Sequence, residues 1–133
     1  MAEIGKDIQK AVAFLERDEL VAIPTETVYG LAANALNPIA VAKIFEAKER
    51  PTFDPLIVHT HALNEVENFV SDIHPALLNL AQVFWPGPLT LLLPKKDIIP
   101  NLVTSGLDRV GVRIPNHSLT LELLSKLSFP LAA

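Results

Sequence analysis

Apolar residues recur along this chain with two different periods, and the alternation of those periods predicts an α/β domain. Ile4, Ile8, Ala11, Val12 and Leu15 fall at helical spacing, which predicts an amphipathic helix over 4–17. "LVAIPT" at 20–25 has the composition of a short buried strand, ended by Pro24. Asn37-Pro38 carries the signature of an N-cap followed by proline in the first turn, and Val41, Ile44 and Phe45 give that helix one apolar stripe. It must stop before Pro51. "PLIVHT" at 55–60 predicts the next strand. Leu63, Val66 and Val70 predict a short helix, and Pro75 opens another that turns Leu77, Leu80, Ala81 and Phe84 inward until "WPGP" at 85–88 halts it. Strands are expected at 89–94 and 109–115, a last helix over 117–127, and one more buried strand beginning within "FPLAA" at 129–133. Helices alternating with short apolar strands make one α/β domain over 1–133. The last strand begins and has no exit, so the chain reads as the N-terminal portion of a longer domain.

Composition narrows the picture. Of 133 residues, 50% are hydrophobic and 20% charged, a balance that packs a core instead of remaining disordered. The chain has no cysteine, which removes disulfides, thiolate nucleophiles and zinc–cysteine sites and suits a reducing, cytoplasmic setting. No apolar run approaches the ~20 residues that a membrane span requires, and the charged N-terminal segment is neither signal peptide nor anchor. The net charge of −4 argues against a surface that binds nucleic acid everywhere. The cations fall into three groups, however: Lys43, Lys48 and Arg50; Lys95 and Lys96; Arg109 and Arg113. Gathered on one face, these could hold a polyanion.

Four stretches could carry chemistry. In "PTETVYG", Thr25, Glu26, Thr27 and Tyr29 crowd hydrogen-bonding groups onto a strand end, where open α/β sheets place ligands; equally, the threonines could be ordinary strand residues beside a solvated Glu26. In "KIFEAKERP", Lys48 and Arg50 sit at a helix C-terminus, which stabilises cations by itself, but as K-x-R before a proline they could also grip phosphates. His59 and His61 form an H-x-H that would share a strand face; with no third ligand apparent, a hydrogen-bonding role for His59 is the better expectation and no metal site follows. Arg109 and Arg113, four apart on a strand, share a face that is either solvated or a pocket for a carboxylate or phosphate. No phosphate-binding G-x-x-x-x-G-K-[ST] loop and no G-x-S-x-G elbow occurs.

In order, and over about 21–133, "IPTETVYGLAANA", "KIFEAKERP" with "DPLIVH", "WPGPLTLLLP" and "VGVRIPNH" resemble the threonylcarbamoyl-AMP synthase family, the YrdC-type domain. The resemblance implies a twisted, open, mixed sheet flanked by helices, with a concave basic face. It also implies condensation of L-threonine, bicarbonate and ATP into threonylcarbamoyl-AMP and pyrophosphate, the product feeding threonylcarbamoyladenosine formation in tRNA. Carried over residue by residue, Thr27, His59 and Arg113 line the threonine site with Ala133 closing it. Lys48, Arg50, Asp54 and Arg109 contact ATP, Lys48 and Arg50 offsetting charge on the departing pyrophosphate, with Mg²⁺ as companion ion. Other tRNA-modification proteins become expected partners. The family usually has asparagine where this chain has Asp54, and its Ser-x-Asn motif is expected after "PLAA". The chain as it stands is therefore expected to bind ATP poorly. Other readings are a double-stranded RNA or tRNA-binding module, a non-catalytic paralogue, and a relative of the hydrogenase-maturation carbamoyltransferases.

Overall fold

Local sequence sets where each element begins. In the computed structural model, which describes residues 7–25, 29–49, 51 and 54–133, the Asp7 carboxylate accepts from the Lys10 N–H at 3.2 Å and opens α1, Ile8–Glu16. Asn37 caps α2, Pro38–Lys48, by accepting from the Ile39 N–H at 2.9 Å, with Pro38 in the first turn as expected. The helix ends on Glu49, whose φ of 51° is left-handed. The remaining helices are α3 (Leu63–Val66), α4 (Pro75–Phe84), α5 (Asn101–Thr104) and α6 (Ser118–Ser125).

Six strands form one mixed sheet: β1 (Val21–Pro24), β2 (Tyr29–Asn34), β3 (Ile57–His59), β4 (Leu91–Pro94), β5 (Arg109–Arg113) and β6 (Leu131–Ala132). Their spatial order is β1-β2-β6-β3-β5-β4. The β3–β5 pair is parallel, while β1–β2, β2–β6, β6–β3 and β5–β4 run antiparallel. The "FPLAA" segment thus slots between β2 and β3 in the middle of the sheet.

Register decides which face each side chain takes, because neighbours along a strand alternate. Ala33, Ala132, Val58 and Val112 lie across the sheet as partners, and with Leu91 and Leu93 they face the larger core. That core is closed by Ala40, Val41, Ile44 and Phe45 of α2, Ala81 of α4 and Val103 of α5. On the opposite face, Ile23, Ala32 and Leu131 meet Leu15 of α1 and Leu123 and Leu124 of α6 in a smaller core. This second layer covers the β1-β2-β6 half of that face. Among the described residues, no helix covers β3, β5 and β4 on that face; Leu92 there is 63% exposed, while His59 is buried.

The structure departs from the sequence reading in several places. Strand β2 was not expected: "YGLAAN" is built from small residues with weak strand preference and no alternation, and its placement comes from burial between β1 and β6. The short helix α5 was likewise unexpected. Strand β3 is only Ile57–His59, so His61 lies beyond it and the shared-face argument for the H-x-H does not hold. The helix expected through Val70 stops at Val66.

Candidate functional site

The open half of the second face is built from alternate residues of three strands. His59 of β3 and Arg113 of β5 are direct register partners in the parallel pair and therefore project from the same face. On the other side of β3, Ile57 and Ala133 exchange two backbone hydrogen bonds of 3.0 Å each, which places Ala133 beside the same patch. Gly30 of β2 adjoins it, since a Cβ there would sit 3.5 Å from the Ala133 methyl.

His59 is 3% exposed. Its Nδ1 lies 3.1 Å from the Ile57 carbonyl oxygen. A carbonyl only accepts, so Nδ1 donates in this bond, and the strand's own backbone sets the orientation of the ring.

Arg113 is half-buried, and among the described residues one hydroxyl holds its guanidinium. Nε donates to Thr90 Oγ1 at 3.1 Å and Nη2 donates to the same oxygen at 2.8 Å. Thr90 is neutral, so these bonds orient the cation without cancelling its charge. Five N–H groups make up the fork, and a carboxylate can take two in parallel. A buried imidazole next to an oriented guanidinium is an arrangement suited to an amino acid's polar end.

The "WPGPLT" segment supplies the brace. The Trp85 indole N–H donates to the Leu89 carbonyl at 2.7 Å, and the Gly87 N–H donates to the Ile114 carbonyl at 2.8 Å, one residue past Arg113. Thr90, which holds the Arg113 guanidinium, and Gly111, which lies against Thr90, were not singled out in the sequence. The available signal was the rigid Trp-Pro-Gly-Pro turn directly before a threonine.

The expected phosphate-contacting residues lie elsewhere on the molecule. Arg109 opens β5 on the same face as Arg113, two alternations away, which is ~13 Å at strand rise, and it is exposed. Asp54 is exposed just before β3, with its N–H bonded to the Pro51 carbonyl at 3.1 Å. Asp54 and Arg109 thus mark the N-terminal ends of the parallel pair, and His59 and Arg113 its C-terminal ends. Lys48 is exposed at the end of α2, a helix packed on the other face of the sheet. Thr27 and Arg50 lie outside the described residues. Among the described residues, no group of three His, Cys, Asp or Glu side chains is placed to hold a metal ion, and no helix is long and apolar enough to cross a membrane.

Comparison with known proteins agrees with this architecture. The chain is 48% identical over 126 residues to the threonylcarbamoyl-AMP synthase of Pyrococcus abyssi and 47% identical over 127 residues to that of Bacillus subtilis. Each match covers 95% of this chain and 37% of the relative, so the chain spans little more than a third of their length. The crystal structure of P. abyssi Sua5 complexed with L-threonine superposes with a TM-score of 0.93 at 47% identity, over 99% of this chain and 39% of that one. The family model of Sua5, YciO and YrdC proteins, described as "Telomere recombination", matches residues 13–133. With that match over nearly its whole length, the chain belongs to the Sua5/YciO/YrdC family.

Proposed function

We propose that this chain is the threonine-handling part of a threonylcarbamoyl-AMP synthase, acting in the cytoplasm on L-threonine, bicarbonate and ATP. The observation that carries the reading is the register pairing of His59 with Arg113 on the open half of the sheet, with the guanidinium already oriented by Thr90. The relatives named threonylcarbamoyl-AMP synthases and the threonine complex of P. abyssi Sua5 support it.

In this reading Arg113 pairs with the threonine carboxylate, and His59 Nε2 accepts from the substrate's hydroxyl or amine. Ala133 and Gly30 form the small-residue wall beside it, and Thr27 adds a hydroxyl. The free amine attacks the carbon of bicarbonate; the new N–C bond forms as a hydroxide departs, taking the amine proton and leaving as water. The resulting carbamate oxygen attacks the α-phosphorus of ATP, and the bond to the bridging oxygen breaks to release pyrophosphate. No protein nucleophile takes part. The protein's contribution is positioning, exclusion of water from a labile carbamate, and cationic stabilisation of the leaving group, for which Arg109 is the cation on the same sheet face; Lys48, at the end of α2 behind the sheet, and Arg50 keep this role only as the family resemblance implies it. Mg²⁺ arrives with ATP as part of the substrate, and the role carried over to Asp54 is contact with ribose or that ion. The product passes to tRNA, with other tRNA-modification proteins as partners.

Titration with L-threonine tests this. Saturable binding is expected, and Arg113→Ala should weaken it ~10-fold or more by removing a charge-assisted contact of about 1.5–3 kcal/mol. Arg113→Lys should not restore it, because an ammonium lacks the planar fork. Pyrophosphate release from ATP should require both threonine and bicarbonate; absence of threonine binding, or release independent of threonine, would contradict the reading.

A further inference from the structure

We propose that Thr90 is a positioning residue that sets the threonine-binding geometry of Arg113 through two ends of one side chain; this rests on the reading just given. Its hydroxyl takes both Nε–H and Nη2–H of Arg113, at 3.1 and 2.8 Å. Its methyl, Cγ2, lies against the missing side chain of Gly111: a Cβ on Gly111 would come within 3.2 Å of it, and within 3.7 Å of Ile57 Cγ1. Gly111 is the register partner of both Ile57 on β3 and Leu92 on β4, so Thr90 packs into a notch between strands.

The geometry makes the choice of threonine specific. Serine would supply the hydroxyl without the methyl that fixes χ1, and valine would supply the shape without the acceptor. An arginine side chain otherwise loses considerable rotamer freedom when a ligand captures it. Holding Nε and Nη2 on one oxygen in the unliganded protein removes much of that cost and leaves the other fork edge to face a carboxylate. The brace upstream holds Thr90 in turn. A Cβ at Gly87 would lie 2.4 Å from the Phe84 carbonyl oxygen, so the turn that delivers Thr90 closes only around glycine.

Four variants in a threonine titration separate the two ends. Thr90→Val should weaken threonine binding ~10-fold, approaching Arg113→Ala, because the charged fork loses its acceptor. Thr90→Ser should weaken binding by only ~3-fold, since the acceptor is kept while the methyl that fixes χ1 is lost. Gly111→Ala should weaken binding by pressing on Thr90 Cγ2, and Thr90→Ser in the same chain should restore it, because that change deletes the pressed methyl. A readout needing no ligand accompanies these: the Arg113 Nε–H resonance should exchange slowly in the parent and in Thr90→Ser, and quickly in Thr90→Val. If the parent binds threonine and Arg113→Ala does not, yet Thr90→Val binds and exchanges like the parent, the positioning role is overturned while the functional reading stands. If Gly111→Ala is not rescued by Thr90→Ser, the methyl contact is not what links the two positions. If the parent does not bind threonine at all, the functional reading itself fails.

Discussion

At the scale of single residues, the site's chemistry is decided by which atoms the backbone has already claimed. Donation from His59 Nδ1 to the Ile57 carbonyl gives the two ring nitrogens different tasks, and in the proposed reading Nε2 is the one that meets threonine. Asparagine and glutamine can imitate them one at a time, their amides falling near Nδ1 and Nε2 respectively. His59→Gln should therefore bind threonine better than His59→Asn, by ~5-fold for one hydrogen bond of about 1 kcal/mol. Equal affinities, measured by calorimetry, would mean that Nε2 makes no contact with the substrate. The sequence made His59 and Arg113 legible as candidates. Their partnership was not, because register across strands far apart in the chain leaves no mark in either strand.

Elements set the precision with which those residues are held. Helix α2 shows how a sequence can state its own boundaries: Asn37, Pro38 and the Val41–Ile44–Phe45 stripe predicted it, and all three act as read. Asn37→Ala should cost about 1 kcal/mol of global stability through the lost cap, and Ile44→Ala about 2–5 kcal/mol through the cavity it leaves in the larger core; urea unfolding monitored by circular dichroism checks both. Gly87→Ala should destabilise as well, because the added carbon meets backbone oxygen and not a flexible side chain. Unlike the core change, it should also loosen Arg113. Strand β2 was the hardest element to read, since "GLAAN" has neither period. Its smallness has a purpose only in three dimensions, where Gly30 and Ala32 let a neighbouring strand and helix approach closely.

For the whole molecule, the division of one sheet face into a covered half and an open half is what creates a site. Among the described residues, helices α1 and α6 pack on the β1-β2-β6 half only, and the other strands carry the buried His59 with Arg109, Gly111 and Arg113. Residues from three dispersed motifs meet there, His59 from "DPLIVH", Thr90 from "WPGPLTLLLP" and Arg113 from "VGVRIPNH", while Lys48 of "KIFEAKERP" lies behind the sheet. Arg109 lies toward one end of the β3–β5 pair, and His59 and Arg113 lie at the other. The most direct measurement is a heteronuclear NMR titration of the protein with L-threonine. The account predicts saturable shifts concentrated at 57–59, 90, 111–113 and 131–133, abolished by Arg113→Ala. Shifts centred instead on the pocket lined by Ile8, Ala11, Ile23 and Leu119, or none that saturate, would contradict it.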